Sequence, residues 1–277
     1  PFHIVPGVSN FRDIGGWPIT SQCSPTPLHV RKGLIYRGSD TTRITATGIA
    51  KLQELNVKTD FDLRSKQQII KAGGFKDMND HGIERIWAPV FPDAEYTEEK
   101  TKERYKLYAS ENPSGIVTAF IEILVAGAPM MKIVLKHLLD TTRPHTPIWQ
   151  CPTFAPQQPA LFMHCTTGNN RTGVFISLLL LLLGVAPEDV VQEYTLSEQG
   201  LAPTRHINVE RLLKKGAFEE YGADEARQKC ERMIGARASS MVALLAEVEQ
   251  KWGGPEGYFK DVVGLTGDEV ERVQNVL

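Results

Sequence analysis

Apolar residues recur along the chain in two rhythms, and the change from one to the other marks the elements. Leu34 to Arg37, Val57 to Leu63, Ile83 to Ala88 and Ala160 to Met163 read as strands, while Ile49, Leu52 and Leu55 fall at helical spacing between the first two. Beyond Pro89 and Pro92 the pattern turns helical. Lys102 to Ser110 is charged and amphipathic, and Ile116 to Leu139 carries apolar residues three and four apart, divided at Gly127 and Pro129 into two helices. Thr141 to Pro159 holds five prolines and reads as a surface loop, long enough to be mobile or functional. Val174 to Leu183 is apolar apart from Ser177. Ten residues fall short of the roughly 20 that cross a bilayer, so this run predicts a helix buried on all sides and no transmembrane segment.

Pro187 opens the next helix, with Glu188 and Asp189 in the first turn, where negative charge is favourable. Asn208 to Lys215 and Glu225 to Gln250 add helical material. Thr266 and Glu269 have capping-box spacing for a last helix. Pro1 to Pro27 mixes turns with short extended pieces. Strands separated by helices predict an α/β fold with a mostly parallel central sheet flanked by helices. The expected organisation is one domain over residues 1–277, with helices added at about 94–140 and the surface loop at 141–159.

Composition narrows the function. The 277 residues are 42% hydrophobic and carry a formal net charge of -2, which removes the usual warrant for a nucleic-acid or anionic-membrane partner. Cys23, Cys151, Cys165 and Cys230 are too few and too scattered for a disulfide framework, and no Cys/His spacing suits a metal. A reducing, cytoplasmic setting is the expectation. No basic-then-apolar leader is visible from Pro1 onward, and the oligomeric state is not legible.

The chemistry concentrates in His164-Cys165-Thr166-Thr167-Gly168-Asn169-Asn170-Arg171-Thr172-Gly173. Cys165 ends a buried strand and so emerges into a crevice. Five residues separate it from Arg171, a loop short enough to aim the amides of Thr166 to Asn170 inward as an anion nest against the next helix. Arg171 can grip two phosphate oxygens, and Gly168 lets the backbone approach the anion. The same field favours a Cys165 thiolate, to which Thr172 can donate a hydrogen bond. His164 points to the opposite strand face, where it can brace the loop. The plainer alternative is ordinary core, or a nest that binds without catalysis. The full-length pattern between strand and helix favours the nucleophile. A nucleotide P-loop lacks its lysine.

These residues resemble the signature of the cysteine-based protein tyrosine phosphatase superfamily, H-C-x5-R followed by Ser or Thr. Asn10-Phe11-Arg12-Asp13, Tyr36-Arg37-Gly38-Ser39, Asp62-Leu63-Arg64-Ser65 and Glu193-Tyr194-Thr195-Leu196-Ser197-Glu198 narrow the resemblance to the PtpB-like bacterial tyrosine and dual-specificity phosphatases and their fungal relatives. The resemblance implies a protein tyrosine phosphatase-like fold and hydrolysis through a phosphocysteine, without a cofactor or metal. It also implies a proton donor on a separate loop, for which Asp93 is the candidate. Glu95, Glu98 and Glu99 compete with it, and a solvated turn is the bland reading of Asp93. The helices between Asp93 and Leu139 are a lid by resemblance or plain scaffold. Arg12, Asp13, Asp62 and Arg64 are expected to form an ion-pair network at one end of the sheet, with Arg64 able to reach the pocket mouth.

Two departures matter. Relatives carry Gly-Lys-Asp-Arg where this chain has Gly168-Asn169-Asn170-Arg171, so the roles of that lysine and aspartate do not carry over. Weaker preference for highly charged lipids is the inference. Cys151 has a possible redox partnership with Cys165, against which stands an inert surface cysteine. The substrate expected is a phosphorylated protein, on tyrosine or with dual specificity. The alternatives are a small phosphorylated metabolite, a binding-only module, or an enzyme that reuses the anion pocket for another reaction.

Overall fold

Ala160–His164 (β7) sits mid-sheet because its residues are buried on both faces. The computed structural model describes residues 1–20, 28–95, 97–143 and 158–277, and gives the backbone but not the side chain of Glu95. Cys23, Cys151 and residues 144–157 of the expected surface loop lie outside the described residues. In chain order the strands are β1 (Arg12–Asp13), β2 (Pro18–Ile19), β3 (Leu28–His29), β4 (Ile35–Gly38), β5 (Val57–Asp62), β6 (Glu84–Trp87) and β7. The helices are α1 (Ala46–Glu54), α2 (Lys66–Lys71), α3 (Glu98–Tyr108), α4 (Pro113–Ala126), α5 (Ala128–Thr141) and α6 (Asn170–Leu182). They continue with α7 (Pro187–Leu201), α8 (Arg205–Lys214), α9 (Ala223–Ile234), α10 (Ala238–Trp252) and α11 (Gly267–Val276).

The main sheet runs β1-β4-β7-β5-β6, and β2 pairs with β3 in a separate ribbon. The expected mostly parallel sheet is corrected to a mixed one. β4, β7, β5 and β6 are parallel neighbours, each joined through helix-bearing connections, whereas β1 lies antiparallel on β4. Two residues at a sheet edge need no crossover helix, and a segment that short leaves no alternating pattern in the sequence.

Strand alternation divides the core. Leu161, Met163 and Cys165 face the larger apolar cluster with Phe61 and the helices α4, α5 and α6, while Ala160 and Phe162 face a smaller one with Tyr36, Ile49 and Leu52. The α6 helix is buried almost all round, as its unbroken apolar run predicts. Each fully buried Leu, Ile or Phe there contributes roughly 1.5–3 kcal/mol, which fixes the direction in which its N-terminus points.

No single helix among the described residues is long and apolar enough to cross a membrane. The α4–α5 pair passes only jointly and bends by 57°. The break falls at Gly127, as expected, between the end of α4 and the start of α5, and a Cβ there would run into the Phe175 ring. The helical material expected over 225–250 forms two helices, α9 and α10, separated at Gly235. Thr266 and Glu269 form a complete capping box on α11.

Candidate active site

The loop from Cys165 to Asn169 joins β7 to α6 and turns at Gly168. Gly168 has φ +68°, and a Cβ there would run into the carbonyl of Gly38 on β4. The close approach is therefore to the neighbouring strand, whereas the sequence suggested an approach to the anion. The N–H groups of Thr167 and Thr172 both point at the Cys165 sulfur. The buried Thr172 hydroxyl has no nitrogen or oxygen partner among the described residues and is likewise directed at the sulfur.

A cavity of about 130 Å³ opens over Cys165. Thr166, Thr167, Asn170 and Arg171 form its floor, and no carboxylate lines it among the described residues. Five cations do: Arg64, Arg104, Arg171, Arg211 and Lys215. Arg171 reaches across the floor, with Nη1 donating to Gln68 Oε1 at 2.6 Å and Nη2 to Thr166 Oγ1 at 3.2 Å. Gln68 Oε1 also accepts the Ser65 N–H and closes the capping box of α2. One amide oxygen thus starts a helix and orients the guanidinium.

Burial pushes the Cys165 thiol up, but Arg171, the Thr172 hydroxyl and the two N–H groups outweigh it and bring the thiol down to about 7. Cys230 is also buried, on α9, but burial dominates there and raises its thiol to about 11. Alkylation of Cys165 by iodoacetate is therefore expected to rise with pH and level off above about 7, well before an ordinary thiol of 9.0 would. The rate is read against pH, with Cys165→Ser protein as the blank. A midpoint above pH 8 would contradict this electrostatic picture.

The sequence motifs converge on the outside of this loop. Asn10 Nδ2 donates to the Thr167 carbonyl, and Arg37 Nη2 donates to the Gly168 carbonyl at 2.5 Å. Arg12 Nε and Arg37 Nη1 meet the two carboxylate oxygens of Glu193 at 2.7 and 2.6 Å, wholly buried. Asp62 accepts from Arg64 and Arg85 at 2.7 and 2.8 Å, and Arg64 also reaches Asp40 at 3.3 Å. Although burial raises an acid, His164, Arg64 and Arg85 hold Asp62 well below the carboxylate range. The expected single network of Arg12, Asp13, Asp62 and Arg64 is thus corrected to two. Arg12 sits on β1 and Asp62 on β5, with β4 and β7 between them. Asp13 belongs to neither network and instead accepts the Gly15 and Gly33 N–H groups.

Other expected residues are placed differently. Asn169 Nδ2 donates to the carbonyls of Ile234 and Gly235, and Asn170 Nδ2 to that of Met233, so both amides cap the C-terminal end of α9. Other elements bring cations to the cavity, Arg104 from α3 and Arg211 and Lys215 from the end of α8. Asp93 is exposed on a one-turn helix and does not line the cavity, although Phe91, two residues earlier, does. Glu98 and Glu99 are exposed in the first turn of α3. Among the described residues of the stretch 94–140 only α3 faces the cavity, through Thr101, Arg104, Tyr105 and Tyr108, while α4 and α5 pack into the core. Arg211, Leu212 and Lys215 at the end of α8, with Met233 and Ile234 of α9, complete the wall. Sequence reading missed these groups and Gln68. The Ser65-x-x-Gln68 capping spacing and the Thr101/Arg104/Tyr105/Tyr108 helical face were the available signals.

Residues 3–277 match the profile of a family described as Tyrosine phosphatase family. A tyrosine-protein phosphatase of Nostoc commune is 26% identical over 243 residues, spanning 86% of this chain and 72% of that protein. The triple specificity protein phosphatase PtpB of Mycobacterium tuberculosis is 22% identical over 292 residues, spanning 99% of this chain and 98% of its own length. Among solved structures, the core catalytic domain of PP-IP phosphatase SIW14 from S. cerevisiae is similar at a TM-score of 0.31 and 14% identity. That match covers 78% of this chain and 89% of the other.

Proposed function

The chain belongs to the tyrosine phosphatase family and is a cysteine-dependent phosphatase; from that premise we propose that it dephosphorylates proteins, on tyrosine and with dual specificity on serine and threonine. The observation that carries this reading is a thiol brought down to about 7 at the floor of a cavity lined by cations and no carboxylate among the described residues. The Cys165 thiolate attacks phosphorus, and the P–O bond to the leaving group breaks. Arg171 and the loop amides hold the three remaining oxygens through the transition state. Water then cleaves the phosphocysteine, releasing inorganic phosphate and restoring the thiolate.

A wider cleft of about 620 Å³ continues from the cavity across Thr166, Thr167 and Arg211 to Ile4 and Ile207. Its extent suits polypeptide flanking the phosphorylated residue better than a small metabolite. We read residues 1–277 as one phosphatase domain, with α3, α8 and α9 walling the cavity. A thiolate nucleophile must stay reduced, which favours the cytoplasm. The test is a panel of phosphotyrosine, phosphoserine and phosphothreonine peptides with phosphoinositides and sugar phosphates. Preference for a sugar phosphate over every peptide sinks the protein-phosphatase reading.

Asp93 is the proposed proton donor, on the turn that follows the cavity-lining Phe91. It gives its proton to the leaving oxygen and, as the carboxylate, takes one from the attacking water. Asp93→Asn is expected to slow phosphotyrosine peptide turnover about 10²-fold, at the low end for a general acid, and an activated aryl phosphate little. Steady-state rates on the two substrates check it. Equal rates of variant and parent on the peptide would remove Asp93 from the mechanism.

A further inference from the structure

We propose that Asp60 is a positioning residue for the nucleophile, holding His164 as a buried cation whose Nδ1–H fixes the Cys165 carbonyl. The proposal rests on Cys165 being the nucleophile. Asp60 and Asp62 point to the same face of β5, and on β7 that face carries Phe162 and His164. His164 Nε2 lies 2.9 Å from Asp60 Oδ1, an ion pair off the ideal hydrogen-bond line, with both side chains wholly buried. Neither atom has a hydrogen-bond partner among the described residues, so each has only the other in reach. The second carboxylate oxygen accepts the buried Thr41 hydroxyl at 3.3 Å. On the far side of the ring, His164 Nδ1 is 3.1 Å from the Cys165 carbonyl oxygen.

Both ring nitrogens therefore face oxygen atoms that can only accept. A carbonyl has no proton to give and neither has a carboxylate, so Nδ1 and Nε2 must each carry hydrogen. That ring is an imidazolium, whichever tautomer a neutral ring would have chosen. The charges around it agree. Burial alone would lower His164, but Asp60 and then Asp62, 3.9 Å from Nδ1, outweigh burial and the opposing Arg64 and raise it to about 9. On the other side β4 presents Gly38 in register with His164, which has no charge. Phe162 packs on the ring at 5.1 Å.

The consequence falls on the next residue. A carbonyl pulled back towards His164 turns the following peptide so that its N–H side faces the cavity, and a fixed cation beneath the loop favours a thiolate above it. Arg171, Thr172 and Thr167 act on the sulfur from the cavity side. Asp60 acts from behind, through one intermediary.

Asp60→Asn is close to isosteric and lets a neutral His164 keep Nδ1–H on the carbonyl while its Nε2 accepts from the amide. The cation is lost and the fold geometry is spared. The thiol of this variant, followed by iodoacetate alkylation against pH with Cys165→Ser as the blank, is expected to titrate about 1 unit higher than the parent's. Phosphotyrosine turnover at pH 6 is expected to fall roughly tenfold and to recover as pH rises. An unchanged thiol profile in a folded variant overturns the proposal, because a merely structural aspartate would shift melting and leave the profile alone. If the variant does not fold, ¹⁵N-histidine NMR of the parent decides. Both His164 nitrogens protonated at pH 7.5 support the proposal, and a neutral ring overturns it. Parent protein that keeps full turnover after Cys165 is alkylated overturns the nucleophile reading and this proposal with it, whereas an unchanged profile with turnover lost on alkylation defeats Asp60 alone.

Discussion

Cys165→Ser protein is expected to lose turnover on every substrate by about 10³-fold or more, since a nucleophile is removed outright. The cavity brings the Cys165 thiol to about 7 by means of Arg171, the Thr172 hydroxyl and two N–H groups, against the cost of burial. The same field acting on an alcohol, whose ordinary ionisation lies far above that of a thiol, leaves it protonated at neutral pH. Ligand binding is expected to survive, because Arg171, Gln68 and Thr166 are untouched and the oxygen is smaller than the sulfur it replaces. The check pairs phosphate release with protection by inorganic phosphate against thermal unfolding. Phosphate release equal to that of the parent would mean that Cys165 is not the nucleophile. Loss of protection along with loss of turnover would mean that the substitution disturbed the nest.

The largest expected effect on stability belongs to Glu193→Ala, at about 3–5 kcal/mol. Glu193 is wholly buried on α7 and meets Arg12 Nε and Arg37 Nη1, both also buried. Burial pushes its carboxyl up, yet the two guanidiniums hold it below the ordinary value. A buried ion triad adds little net stability over a well-packed apolar substitute, because three groups lost their hydration to form it. Removing the one anion is another matter, since it strands two cations in the core. Arg37 also donates to the Gly168 carbonyl, so its displacement loosens the loop under the phosphate. Urea unfolding followed by fluorescence reads the effect. A loss below about 1 kcal/mol would mean that Arg12 and Arg37 find water or other partners, as exposed pairs do.

Depression of the Glu193 carboxyl has a pH consequence of definite sign. An acid lowered in the folded state contributes stability above its unfolded value, and that contribution is lost as pH falls through the folded one. Glu193 therefore belongs to the acid limb of the stability curve.

Legibility in the sequence followed chain distance. The apolar run Ala160 to Met163, the signature and the apolar run of α6 are contiguous, so strand, loop and helix could be read together. Gly127 with Pro129 and the Thr266/Glu269 cap also act within one turn of chain. Arg12 was grouped with Asp13, Asp62 and Arg64, but its partner Glu193 lies 181 residues away and no local pattern marks such a pair. Three of the five cavity cations, Arg104, Arg211 and Lys215, come from α3 and the end of α8, amphipathic segments whose charged faces look like any solvated face until the tertiary fold turns them inward. The six residues of α2 are too few for a period, and only the cap at Ser65 and Gln68 betrays them. β1 is two residues long and antiparallel, which left the sheet's mixed character invisible.

The opposite facing of Cys165 and His164 gives β7 something like a reading frame. Leu161, Met163 and Cys165 share one apolar cluster, and Phe162 lies in the other beneath the His164 ring. Insertion or deletion of a single residue between Ala160 and Cys165 would exchange the two sets. The imidazole would then stand under the phosphate, and the thiol would sit between Asp60 and Asp62, where negative charge suppresses its ionisation. A change of two residues would restore parity but shift the loop by about 7 Å along the sheet, away from Gly38. Length thus constrains these five residues as much as identity does.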